Sequence, residues 1–213
     1  MTRELPPNGI PITAAEAEAR WAAAWTPTEV ATRLNGLSTP WYVAGGWAID
    51  LFVGEHTREH SDLEIAVPAA RFPEIRSRFP EFTFDVVASD HVWELTPEVS
   101  DLAHQTWLRD PATGNYLVDV FREPHDGPTW ICRRDPSIRL PYTEVIRRTP
   151  DGIPYLAPEL ALLFKAKAVR PKDQQDFAAA LPLMDAASRR TLATYLTRVH
   201  PEHSWLTALR PGE

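Results

Sequence analysis

One segment constrains the fold of this 213-residue chain more than any other: YVAGGWAIDLFVGEHTREHSDLEIAV, residues 42–67. Two apolar stretches, Tyr42–Ala44 and Ile65–Val67, enclose the glycine pair Gly45-Gly46, a Thr-Arg pair, two histidines and the spaced carboxylates Asp62 and Glu64. Buried polar groups are costly unless paired, so such a run is either a solvated connector or a site. The first apolar stretch predicts a short buried strand. GWAIDLFVG predicts a helix whose start is marked by Gly45-Gly46 and whose end is marked by Gly54. DLEIAV alternates, so Asp62 and Glu64 project from one face of a strand, and Leu63, Ile65 and Val67 project from the other or into a covering layer.

Upstream, two helices carry capping signals: Thr13 with Glu16 before an alanine-rich run, and Thr26 with Pro27 and Glu29 before VATRLNG, where Gly36 is the stop. After Pro68, AARFPEIRSRF reads as helical despite Pro73. Strands are predicted at 82–88, 91–96 and 105–109, and the turn DPATGN joins the last of these to YLVDVF as a hairpin. A second hairpin is signalled around Asp151-Gly152. PELALLFKAKAV, KDQQDFAAALPLM and SRRTLATYLTRV then follow helical periods. The fold class is therefore α+β, with a mixed sheet in the first two-thirds and helices in the last third. We place the boundary between residues 1–156 and residues 157–213.

Composition limits the function. Lys and Arg total 22 against 29 Asp and Glu, a net charge of -7, which disfavours an extended phosphate-binding surface and suits a small cationic ligand. The basic stretch FREPHDGPTWICRRDPSIR, with Arg122, Arg133, Arg134 and Arg139, is the one local candidate for contact with RNA, and acids interrupt it. The single cysteine, Cys132, excludes an internal disulfide, residues 1–10 lack an apolar signal core, and no apolar run approaches the ~20 residues of a membrane span. A cytoplasmic protein is the expectation. Nothing in the sequence speaks to its oligomeric state.

Asp62 and Glu64, two positions apart on a strand, set two hard oxygen donors side by side. Alone, such a pair is ordinarily solvated surface. Asp119, flanked by valines in YLVDVF, is different: an unpaired charge in a buried strand is expensive. If the two strands are neighbours, the three carboxylates converge, and an open site of this kind suits Mg²⁺ better than a closed structural metal. The glycine pair adds backbone N–H groups at a positive helix end, a place for an anion. Asp119 could instead be satisfied by Arg122 or Arg58.

The pattern from Gly45 to Glu64, GGWAID…G..TR.H.DLE, resembles the signature of the DNA polymerase β-like nucleotidyltransferases, in particular the small antibiotic enzymes acting on aminoglycosides and lincosamides. The 15-residue spacing from Gly46 to Asp62, with Thr57, Arg58 and His60 between, is similar to the aminoglycoside 2''-nucleotidyltransferase group. Glu64 stands where the aminoglycoside enzymes usually carry Asp. The resemblance implies that Gly45 and Gly46 hold the triphosphate of ATP or another NTP. It also implies that Asp62, Glu64 and Asp119 bind two Mg²⁺ ions, and that Asp119 accepts the proton of the acceptor hydroxyl. AMP transfer to an aminoglycoside-like acceptor is the leading expectation. A toxin-type nucleotidyltransferase modifying tRNA or protein, and a weakly catalytic nucleotide-binding protein of the same fold, stay open as alternatives.

Secondary candidates follow. Arg58 is read either as a phosphate contact or as a clamp on a carboxylate, and Asp50 as a partner within the same loop, with Arg58 the candidate. His60 is expected to fix that loop. Lys167, three and four positions after Phe164 and Leu163, is placed on the inward face of its helix and read as a phosphate contact, with reach to solvent as the alternative. Trp93, Trp107 and Trp130 are read as packing before stacking. Asp90, Glu94, Glu98 and Asp101 are read as solvated loop charge before an amine-binding lining.

Overall fold

The computed structural model describes residues 5–101 and 103–209; residues 1–4, part of the stretch read above for a leader, lie outside them. The strands are β1 (Ile10–Pro11), β2 (Tyr42–Val43), β3 (Glu64–Pro68), β4 (Thr83–Ala88), β5 (His91–Glu94), β6 (Gln105–Arg109), β7 (Tyr116–Glu123), β8 (His125–Asp126), β9 (Thr129–Ile131), β10 (Arg139–Pro141), β11 (Ile146–Arg148) and β12 (Pro154–Leu156). The α-helices are α1 (Ala14–Arg20), α2 (Pro27–Arg33), α3 (Gly45–Val53), α4 (Phe72–Arg76), α5 (Pro97–Ser100), α6 (Tyr142–Val145), α7 (Pro158–Lys165), α8 (Pro171–Ala180), α9 (Ala186–Val199) and α10 (Trp205–Leu209). By packing, the chain divides into two units, residues 1–42 with 60–125 and residues 43–59 with 126–213. Within the second unit, α3 packs with α7 and α8.

The first unit is built on strands in the order β1-β5-β4-β6-β7-β3. The β3–β7 pair is parallel and its other pairs are antiparallel. Both capping boxes form: Thr13 and Thr26 each accept from the backbone N–H of Glu16 and Glu29, whose carboxylates return to the cap N–H. Pro73 is harmless because it sits in the first turn of α4, where its missing N–H has no intrahelical partner to lose. Ile65, Ala66 and Val67 in β3 are all buried, as a strand covered on both faces requires. One face of the sheet packs Val92, Trp107 and Tyr116 against Trp21, just after α1, and Ile12.

In the second unit, Val43 of β2 pairs in parallel with Tyr155 of β12, and β11 and β12 form the expected hairpin, with Gly152 at φ +91° in its turn. The α3 helix ends as expected at Gly54, φ +87°, whose N–H closes on the Asp50 carbonyl. The three C-terminal helical periods appear as α7, α8 and α9, and α10 adds a short helix whose Trp205 stacks on Phe177 at 4.3 Å. The pairing of β9 with β10 was not legible, because three-residue strands within a charged stretch show no alternation. Among the described residues, no helix is long and apolar enough to cross a membrane.

Candidate functional site

The parallel pairing of β3 with β7 sets Glu64 opposite Asp119, and the Asp119 N–H donates to the Leu63 carbonyl at 2.8 Å. Asp62 lies just before β3, two positions from Glu64 and thus on the same side of the chain. One carboxylate oxygen from each of Asp62, Glu64 and Asp119 falls within 4.8 Å of the other two. The expected convergence is therefore present within one unit. Asp119 is 2% exposed. Its Oδ2 accepts from Gln105 Nε2 at 2.5 Å, while Oδ1 has no hydrogen-bond partner. Burial first, then the Glu64 charge and more weakly Asp62, push the Asp119 carboxyl well above the usual range against the opposing pull of Gln105 and Trp107.

These features fit a divalent cation. Three hard oxygens are concentrated, one carboxylate among them is buried with one of its two oxygens unpartnered, and the mutual repulsion that raises Asp119 is what a cation would relieve. Neither arginine considered for Asp119 is shown bonded to it. Arg122 donates to Thr106 Oγ1 at 2.8 Å and to the carbonyls of Ser100 and Ala103.

Gly45, Gly46 and Arg58 belong to the second unit. Gly45 takes φ +62° where the chain turns into α3, a backbone position that glycine occupies without steric cost. No side chain caps this helix start. Asp50, buried on α3, accepts from Thr57 Oγ1 and stands 3.9 Å from His56 Nε2, whose ring stacks on Trp47 at 5.2 Å. Thr57 thus bonds Asp50 within the same loop, as the sequence reading expected of that loop, and the Asp50 charge also favours the Arg58 cation. Arg58 instead spans both oxygens of Asp176, at 2.8 and 2.9 Å, the clamp geometry of the two readings offered for it.

Lys167 does not point inward: α7 stops at Lys165, and Lys167 lies exposed beyond it. Two residues earlier, Lys165 is the inward lysine, 2.7 Å from Asp176 and 3.4 Å from Asp173. The apolar period located the face correctly, but KAKAV carries no glycine or proline to mark where the helix ends. Trp93, Trp107 and Trp130 are buried, Trp130 edge-on to Phe164. Asp90, Glu94, Glu98 and Asp101 are exposed. Gln105 and Asp176 were missed. Their partners lie 14 and 118 positions away, beyond the reach of local pattern.

The chain has the α+β, mixed-sheet fold seen in solved nucleotidyltransferases, and at the level of fold the resemblance read from Gly45–Glu64 holds. Residues 28–102 match the sequence model of the aminoglycoside-2''-adenylyltransferase family, a span that includes Asp62 and Glu64 but not Asp119. Among solved structures, the chain is similar to the lincosamide antibiotic adenylyltransferase LnuA bound to lincomycin, with a TM-score of 0.52, 16% identity, and coverage of 82% of this chain and 99% of that one. It is also similar to ANT(2'')-Ia in complex with adenylyl-2''-tobramycin, with a TM-score of 0.54, 13% identity, and coverage of 80% and 95%. No curated protein matches the sequence at a significant level.

Proposed function

We propose that this protein is an enzyme that transfers a nucleoside monophosphate, AMP from ATP, to a hydroxyl of a small cationic acceptor of the aminoglycoside type. The observation that carries this reading is the convergence of Asp62, Glu64 and Asp119, with a buried, partly unpartnered carboxylate at its centre, on a nucleotidyltransferase fold. Asp62, Glu64 and Asp119 would hold the Mg²⁺ ions. Bound there, the ions would supply charge neutralisation for the triphosphate and the departing pyrophosphate.

The residues of the chain do the rest. Asp119, fixed through Oδ2 by Gln105, accepts the hydroxyl proton at its carboxylate. The acceptor oxygen then bonds to the α-phosphorus as the bond to the bridging oxygen of the β-phosphate breaks, and pyrophosphate leaves. Gly45, Gly46, Arg58 and Lys167 are the phosphate contacts of this reading, with residues 1–156 as the transfer domain and 157–213 as its helical companion. Arg58 serves while held by Asp176, and Lys167 serves from an exposed position.

The arginines of the basic stretch support a small acceptor over RNA. Arg122 is buried on carbonyl oxygens, Arg134 donates to the Phe164 carbonyl, and Arg139 pairs with Asp126 at 2.7 Å. The test is turnover with labelled ATP, Mg²⁺ and a panel of aminoglycosides and lincosamides, read by product mass. Nucleotidylated antibiotic is expected; label transferred to tRNA or protein, or to nothing, refutes the assignment.

A further inference from the structure

We infer that the indole N–H of Trp107 holds the attacking oxygen of the acceptor hydroxyl beside Asp119, so that this tryptophan belongs to the reaction centre as well as to the core. The inference rests on the nucleotidyl-transfer reading above. In the antiparallel β6–β7 pair, Trp107 is the residue directly opposite Asp119, and both side chains leave the same face of the sheet. The indole is held from its other side: Trp21 meets it edge-on at 5.4 Å and Tyr116 at 4.6 Å, within the apolar cluster that also includes Ile12 and Val92.

Trp107 is 9% exposed, yet its Nε1 has no hydrogen-bond partner. Neighbouring Asp119 Oδ1 has none either. The N–H lies close enough to favour the ionised carboxyl, but the two atoms do not meet in hydrogen-bonding geometry. The contrast with other buried tryptophans is direct: Trp93 Nε1 donates to the Pro6 carbonyl at 3.1 Å and Trp205 Nε1 to Gln174 Oε1 at 2.7 Å. A buried donor left without an acceptor is destabilising, a penalty that a fold retains where a ligand removes it.

The chemistry of the missing partner follows from the donor. Indole N–H donates only, so a metal ion that satisfied the carboxylates would leave it unpaired and would be repelled by it. What it requires is an oxygen lone pair. A hydroxyl suits both orphaned atoms at once, giving its proton to Asp119 Oδ1 and accepting from Trp107 Nε1. As the proton moves to the carboxylate, charge grows on the oxygen, and the bond from the N–H strengthens in the transition state. A phosphate oxygen of the nucleotide would offer a lone pair too, but it carries no proton for the carboxylate.

The experiment uses the full chain with Mg²⁺, a non-hydrolysable α,β-methylene ATP for binding and ATP for turnover, with tobramycin and lincomycin as probes. Trp107→Phe removes the N–H, and β-(3-benzothienyl)alanine at position 107 removes it while keeping the bicyclic shape, which separates the donor from the packing. Both are expected to lower kcat by roughly 10²-fold while leaving KM for ATP unchanged. The ¹⁵N-indole resonance lost in Trp107→Phe is expected to shift when antibiotic joins the nucleotide complex. Turnover by the benzothienyl variant within about threefold of wild type, or a full shift with nucleotide alone, overturns the inference and leaves the nucleotidyl-transfer reading intact. A wild type that modifies no hydroxyl overturns both.

Discussion

Asp176→Asn tests the buried ion network that ties Arg58 and Lys165 to α8. Asp176 has no exposed surface and meets the Lys165 ammonium at 2.7 Å and the Arg58 guanidinium at 2.8 and 2.9 Å. At an effective dielectric near 20, opposite unit charges 2.7 Å apart attract by about 6 kcal/mol gross, and each ion has surrendered several kcal/mol of hydration to be there. The net worth of the pair is therefore small, but the cost of breaking it is not. Asparagine keeps the volume and leaves Lys165, 8% exposed, and Arg58, 13% exposed, without their shared counter-charge. Asp173, 3.4 Å from Lys165, compensates in part, which puts the loss at the lower end of the usual range, about 3 kcal/mol. For a chain of this length that is a Tm lower by ~6–12 °C. Urea unfolding with an unchanged slope is the assay. Lys165→Met should cost less in the Asp176→Asn background than in wild type, because it removes one of the orphaned ions. Asp176→Asn within about 1 kcal/mol of wild type, or additive effects of the two substitutions, would refute the argument.

Asp62→Asn, Glu64→Gln and Asp119→Asn should each abolish transfer in a folded protein, with non-additive losses in combination, measured as label incorporated from ATP. Because the Asp119 carboxyl is raised by burial, its contribution to stability is present at low pH and lost as pH rises through its folded value. Metal-free Asp119→Asn should accordingly melt above wild type at neutral pH, with a gap that closes on acidification; a gap that widens as pH falls contradicts this. Asp173 shows the opposite sign: burial raises it, but Arg170 and Lys165 outweigh burial and hold it at about 2, below the ordinary 3.8. Stability from this group is present above 3.8 and lost as pH falls toward 2, so Asp173→Asn should flatten acid denaturation over that window in a pH-jump unfolding series. ATP should stabilise the protein only with Mg²⁺ or Mn²⁺, by ~2.7 kcal/mol at 100 times its dissociation constant; equal thermal shifts in EDTA would contradict it.

What the sequence made legible was local. The Thr13–Glu16 and Thr26–Glu29 boxes, the Gly54 stop and the β6–β7 hairpin are each written within a few residues, and each forms as read. The acidic centre was legible because its members have recognisable types: two carboxylates two apart and one among valines. Trp107 was read as packing, which it is; its second face toward Asp119 depends on cross-strand register, which residue types do not encode. Gln105 escaped for the same reason. The Lys167 error arose at a helix end, where three residues of unmarked chain decide which of two lysines goes inside.

The pairing of Glu64 with Asp119 also sets when the site can exist. Asp62 and Glu64 leave the ribosome more than 50 residues before Asp119, and neither has its neighbour until β7 docks in parallel beside β3. Such non-local closure is slow compared with local hairpins and helices. A one-residue slip in that docking would carry Asp119 to the opposite face and set Val118 or Val120 among the acids. A nascent or truncated chain ending before β7 thus lacks the three-carboxylate cluster whatever else it has folded, and on the proposed function the activity of a preparation would report its strand register.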